Sequence, residues 1–183
     1  PKTKSKQISA KTTSVGKTTS DKINDYLKQA QAYEQKGQIS RANEYYLKAQ
    51  KTDASRYEVK FGLAKTYGWM QKNQLAQKYY NELLAQTPNN TDLQENYAGF
   101  LRDSKNYSKA MEAYKQLFSK TNDEKYKTNI AEILFYEKNF KESLELYKEI
   151  YEKNPNSPET EKAIGLLSFI LGDFDKSIYF YRK

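Results

Sequence analysis

The 183-residue sequence predicts an all-α fold, a solenoid of about five helix–turn–helix units. Three observations predict it. A small residue followed four positions later by tyrosine returns five times along the chain. Only 37% of the residues are apolar, which suits a thin, elongated core better than a compact globule. The charge over 21–183 is nearly balanced, 26 basic groups against 23 acidic, as a solvated surface requires.

Residues 1–20 read as a disordered basic lead. They hold Lys2, Lys4, Lys6, Lys11 and Lys17, no acid, and only Ile8, Ala10 and Val15 as apolar side chains. Three such side chains bury too little surface to offset the entropy of ordering the segment. It has no apolar run of the kind a secretory signal needs. Gly16-Lys17-Thr18 is not a phosphate-binding loop: Lys11 stands where the first glycine of that motif belongs, and no strand precedes it.

The repeat follows, over 21–183. The small residues are Ala42, Ala76, Ala110, Ser143 and Ser177, spaced 34, 34, 33 and 34 apart. The tyrosines four residues on are Tyr46, Tyr80, Tyr114, Tyr147 and Tyr181. Twelve residues before each small residue stands another: Ala30, Ala64, Ala98, Ala131 and Gly165. Seven residues after the first four stand Ala49, Leu83, Leu117 and Ile150. Two small residues facing each other let two helices approach closely, and the tyrosine one turn further on the same face fills the space beyond. Most of the 17 tyrosines, including all five at this position, are therefore expected in the core rather than stacked on bases.

The units run 23–56, 57–90, 91–123, 124–157 and 158–183, the last incomplete. Turns between the two helices fall at Lys36-Gly37-Gln38, Lys72-Asn73, Lys105-Asn106, Lys138-Asn139 and Gly172-Asp173. Asn and Gly there are expected to take the left-handed backbone of a helix end. Pro88 and Pro155 stop the second helix of two units. In the second unit Asn73 stands where the others have Ile39, Tyr107, Phe140 and Phe174, and Leu75 is expected to compensate. The fifth unit is the most apolar, with Ile164, Leu166, Leu167, Phe169, Ile170 and Leu171. A terminal repeat needs a polar cap, so the natural chain is expected to continue past Lys183 or to pack against a second copy.

This pattern resembles a tetratricopeptide repeat array. The unit Tyr57–Asn90 carries the resemblance best, with Leu63-Ala64, Tyr67, Ala76, Tyr80, Leu83 and Pro88 at the family's spacing. The early aromatic of the family's first helix is Tyr26 in the first unit and is replaced by Lys60, Gln94, Lys127 and Glu161 in the others, whose first helices are expected to be less well anchored. The resemblance implies a right-handed superhelix whose concave surface is lined by the first helix of each unit. On that register the partner-binding candidates are Lys28, Gln31, Lys65, Trp69, Asn96, Arg102, Asn129, Glu132 and Tyr136. Trp69, the single tryptophan, is either an exposed anchor or a packing residue between first helices. The carboxylate clamp of chaperone-binding relatives is matched only at Asn96 and Lys125, so a co-chaperone role is not expected.

These residues point to a non-catalytic scaffold holding a segment of another protein: amides bond its backbone, cations hold its carboxylates and aromatics take its anchors. No cofactor is expected. Without Cys or His the chain has no disulfide, thiol nucleophile, Cys/His zinc site or imidazole base. Nucleic acid is not an expected partner, because five of the eight net positive charges lie in the lead. The longest apolar stretch, Ala163 to Leu171, is too short to cross a membrane. Two alternatives stay open. One is an assembly module of a bacterial secretion or exopolysaccharide-export system, on the strength of Tyr67-Gly68-Trp69. The other is self-association through the last unit. Cytoplasmic and periplasmic settings both accommodate a chain without cysteine.

Overall fold

The computed structural model describes residues 18–183, and all of its regular elements are helices. They are α1 Thr19–Gln35, α2 Ile39–Thr52, α3 Tyr57–Trp69, α4 Asn73–Gln86, α5 Thr91–Asp103, α6 Tyr107–Thr121, α7 Lys125–Tyr136, α8 Phe140–Lys153, α9 Pro158–Ile170 and α10 Phe174–Arg182. Each helix packs on the next, and the first helices of neighbouring units also touch, α1 on α3 and α3 on α5. The fold is an all-α helical-repeat solenoid. No described helix is long and apolar enough to cross a membrane.

The expected lead over 1–20 lies mostly outside the described residues. Its last three residues belong to the first helix instead. The Thr18 hydroxyl accepts from the Asp21 N–H and the Asp21 carboxylate accepts from the Thr18 N–H, a reciprocal cap that starts α1 at Thr19.

The repeated small residues sit where the spacing placed them. Ala30, Ala42, Ala64, Ala76, Ala98 and Ala110 are fully buried between paired helices. Ser143 keeps the close approach of α7 and α8 while donating its hydroxyl to the Ala131 carbonyl at 2.8 Å. Tyr46, Tyr80, Tyr114 and Tyr147 are buried. Tyr80 stacks on Phe100 in the following unit, and Tyr114 packs near Tyr126. Tyr181 departs from this set: it is 56% exposed, although its ring lies against Gly165. Its counterparts are covered from the far side by the next unit's first helix.

The turns are where they were expected, but the left-handed residue is not the asparagine. In these turns positive φ falls on Gly37, Gln71, Lys105, Lys138 and Gly172, one per turn, and outside them Asn122 takes it at the end of α6. Each closes a helix with a pair of nested hydrogen bonds; Asn106 N–H to Leu101 O and Lys105 N–H to Arg102 O are one such pair. Asn106 and Asn139 come one residue later, at the N-caps of α6 and α8, and Asn73 is the first residue of α4. Leu75 is 42% exposed and does not replace the aromatic missing at Asn73. Nor are the first helices without anchors. Asn90 and Ser157 cap α5 and α9, and Tyr126, buried, fixes the start of α7.

Candidate protein-binding site

Three successive first helices, α3, α5 and α7, contribute residues to one cavity of about 800 Å³. Of the sequence-predicted residues, Lys65, Trp69, Asn96, Arg102 and Asn129 line it. Glu132 stands beside it, joined to Arg102. Lys28 and Gln31 lie exposed on α1 and take no part, and Tyr136 stands apart, stacked on Tyr107 with ring centres 6.0 Å apart.

The cations of this face are not free. Lys65 Nζ lies 2.9 Å from Glu34 Oε2 in the preceding unit, and 5.4 Å from the ring centres of both Phe61 and Trp69. Arg102 donates to Asp103 Oδ1 at 3.0 Å and, across to the next unit, to Asn129 Oδ1 at 2.8 Å and Glu132 Oε2 at 3.4 Å. Burial works against the Arg102 charge, but the Asp103 hydrogen bond and the surrounding carboxylates outweigh it and hold the guanidinium above its ordinary value. A third bridge joins the same two units, where Lys125 Nζ and Tyr126 Oη both donate to Glu95 Oε2 at 2.8 Å. These links bridge the first unit to the second and the third to the fourth across the face.

The asparagines are partly used as well. Asn96 and Asn129 each donate to the carbonyl four residues back, Asp92 O and Lys125 O, both at 2.8 Å. The Asn129 oxygen is taken by Arg102, whereas the Asn96 oxygen has no protein donor among the described residues. Trp69 resolves in favour of exposure: 51% of it is open to solvent at the cavity wall.

The structure also brings Tyr80, Gly99, Phe100 and Tyr114 to the cavity, none of which the candidate set contained. The two tyrosines were assigned to the core, and they are buried; what the spacing did not show is that their inner ends also floor the groove. Burial pushes both phenols up, Tyr114 to about 12. Gly99 had a visible signal, a gap in a register position held elsewhere by Gln31, Lys65, Glu132 and Leu166.

Comparison with known proteins agrees with this architecture. Tetratricopeptide repeat family models match residues 26–56 and 69–123. No curated protein matches the sequence. The structure is similar to that of PilF from Pseudomonas aeruginosa, at 21% identity and a TM-score of 0.69 over 91% of this chain and 76% of that one. It is also similar to MamA (41 to end) from Desulfovibrio magneticus RS-1, at 13% identity and a TM-score of 0.72 over 88% and 92%. A third likeness is YrrB, described as a TPR protein with an unusual peptide-binding site, at 17% identity and a TM-score of 0.61 over 90% and 89%. At such identities the likeness is one of fold.

Proposed function

On the premise that the chain is a tetratricopeptide repeat protein, we propose that it is a non-catalytic scaffold whose concave face holds an extended segment of another protein. The observation that carries this reading is the convergence of Lys65, Trp69, Asn96, Arg102 and Asn129, from three units, on one open cavity. Balanced ion pairs fix the wall, the half-exposed indole offers an anchor surface, and the Asn96 oxygen offers an acceptor to a peptide N–H. Affinity would come from those few groups rather than from the whole face. The test is a random peptide library panned on the wild type and on a Lys65→Ala, Asn96→Ala, Asn129→Ala variant. Loss of binding in a variant that still folds supports the reading. Equal binding by both places the interface elsewhere.

A second reading has its own observation. Eight of the eleven exposed large hydrophobics among the described residues fall between Leu166 and Tyr181, on α9, α10 and the turn between them. α10 carries Asp175 near its start and Arg182 near its end, so two copies paired antiparallel set opposite charges against each other. Self-association through this hairpin predicts a sedimentation coefficient that rises with concentration and stays flat in a Phe169→Glu, Phe174→Glu variant. A wild type that sediments as a monomer throughout removes it.

A further inference from the structure

Gly99 lies in the middle of α5, in ordinary helical backbone, and nothing in its packing demands a glycine. A Cβ built there meets only the Tyr114 hydroxyl, at 3.7 Å, an unstrained contact. Gly62 is different, because a Cβ there would overlap the Tyr46 ring. Glycine inside a helix is less stable than alanine, since it surrenders more backbone freedom on folding. The chain therefore carries a cost at Gly99 that its own fold does not explain. The result is a notch in the groove, at the register position that Gln31, Lys65, Glu132 and Leu166 fill in the other units.

The surroundings of the notch specify an occupant. Tyr80 and Tyr114 line the same cavity, at 2% and 3% exposure, and neither hydroxyl makes a hydrogen bond to any described residue. Neither phenol oxygen is sealed off from the cavity, so both are available to a polar edge entering it. The Trp69 ring stands at the wall of the same cavity, half open, and offers a stacking surface. Charge is a weak selector, because Lys65 is matched by Glu34 and Arg102 by Asp103 and Glu132, and of the lining cations only Lys105 forms no ion pair among the described residues.

We infer that the notch at Gly99 is an anchor pocket for one uncharged aromatic side chain with a hydrogen-bonding edge, tyrosine or tryptophan, projected from an extended partner segment. Its ring lies against Trp69 and its polar edge meets the hydroxyls of Tyr80 and Tyr114. This deepens the peptide-binding reading above and rests on it.

The experiment pans a random peptide library on the full chain, then measures synthetic copies of the selected peptides by the fluorescence of Trp69, the single tryptophan, or by calorimetry where the peptide itself carries tryptophan. The selected peptides share a tyrosine or tryptophan, and its replacement by alanine weakens binding by about tenfold or more. Gly99→Leu, which plugs the notch, weakens binding as much while keeping the helical circular dichroism. Gly99→Ala melts at a higher temperature than the wild type and still binds. Selection of peptides with no common aromatic, selection of none, or Gly99→Leu binding within about twofold of wild type overturns the inference. Normal binding by Gly99→Leu beside lost binding in the Lys65, Asn96, Asn129 variant removes the notch alone and leaves the concave-face reading standing. Normal binding by both removes both.

Discussion

A Cβ placed on Gly62 would lie 2.2 Å from the nearest carbon of the Tyr46 ring, so α3 approaches α2 only because that side chain is missing. Gly62→Ala must push the ring or the helix aside, and overpacking of this kind costs about 1–3 kcal/mol. Urea denaturation should show the midpoint falling at unchanged slope; a midpoint at or above the wild type's would mean the ring moves freely. One turn away, Asn43 Nδ2 donates to Thr66 Oγ1 at 2.8 Å, and the Thr66 hydroxyl donates to the Gly62 carbonyl at 2.8 Å. Both side chains are buried. Thr66→Val leaves the amide without an acceptor at a cost of about 1–3 kcal/mol, while adding Asn43→Leu, the residue type found at Leu144 in the fourth unit, should recover most of it. A double variant as unstable as the single one would show that packing, not the unmet hydrogen bond, sets the loss. The alanines and tyrosines of the core were legible in the sequence because five units write them in one register. The Asn43–Thr66 pair was not, because Gln77, Met111, Leu144 and Ile178 share the register of Asn43 and nothing repeats. The pairing of Lys65 with Glu34, and of Arg102 with Glu132, was hidden for a related reason: the partners stand in different units, about one repeat apart in sequence.

The same limit appears at the turns between helices. Their places follow from the repeat, but a Lys-Asn pair fits either of two alignments with the helix end. The nested hydrogen bonds choose the lysine as the left-handed residue at Lys105-Asn106 and Lys138-Asn139, and the residue before the pair, Gln71, at Lys72-Asn73, and leave the asparagine to begin the next helix. Gln71, Lys105 and Lys138 thus hold φ of 57°, 62° and 63°, where an L side chain is crowded by its own backbone. Gly37 and Gly172 fill the equivalent position in the first and last units without that strain. Replacing each of the three by glycine should stabilise the array by up to about 1 kcal/mol, the relief of strain exceeding the extra entropy of the unfolded chain. Gly37→Ala and Gly172→Ala should destabilise by a similar amount. Thermal melts of the five single variants decide the matter, and a fall in melting temperature at Lys105→Gly or Lys138→Gly would place the strain elsewhere.

Across the whole molecule, stability depends on a row of tyrosines. Tyr46, Tyr80, Tyr114 and Tyr147 occupy one repeat position, and burial pushes every one of their phenols above the ordinary value of 10.0. The fold holds the neutral phenol. Below about pH 10 the unfolded chain carries the same neutral form, and the contribution is fully present. Above it the unfolded chain ionises first, so stability falls with rising pH until the folded phenol ionises too, at about 12 for Tyr114. Four such groups act on one structure. Each lies where two helices of a unit meet, and a solenoid is held only by contacts between neighbours, so ionisation at each of them weakens the stack at that joint. Helical circular dichroism should therefore stay level through neutral pH and collapse between about pH 10 and 12, with the tyrosinate absorbance of these residues appearing together with the loss of helix. Changing all four to phenylalanine should carry the transition to higher pH, because the apolar ring stays while the titrating hydroxyl goes. Full tyrosinate absorbance near pH 10 with the helices intact would mean that water reaches the hydroxyls through the groove. In that case the floor formed by Tyr80 and Tyr114 would be open to solvent, and those two hydroxyls would be hydrated rather than waiting for a partner's side chain.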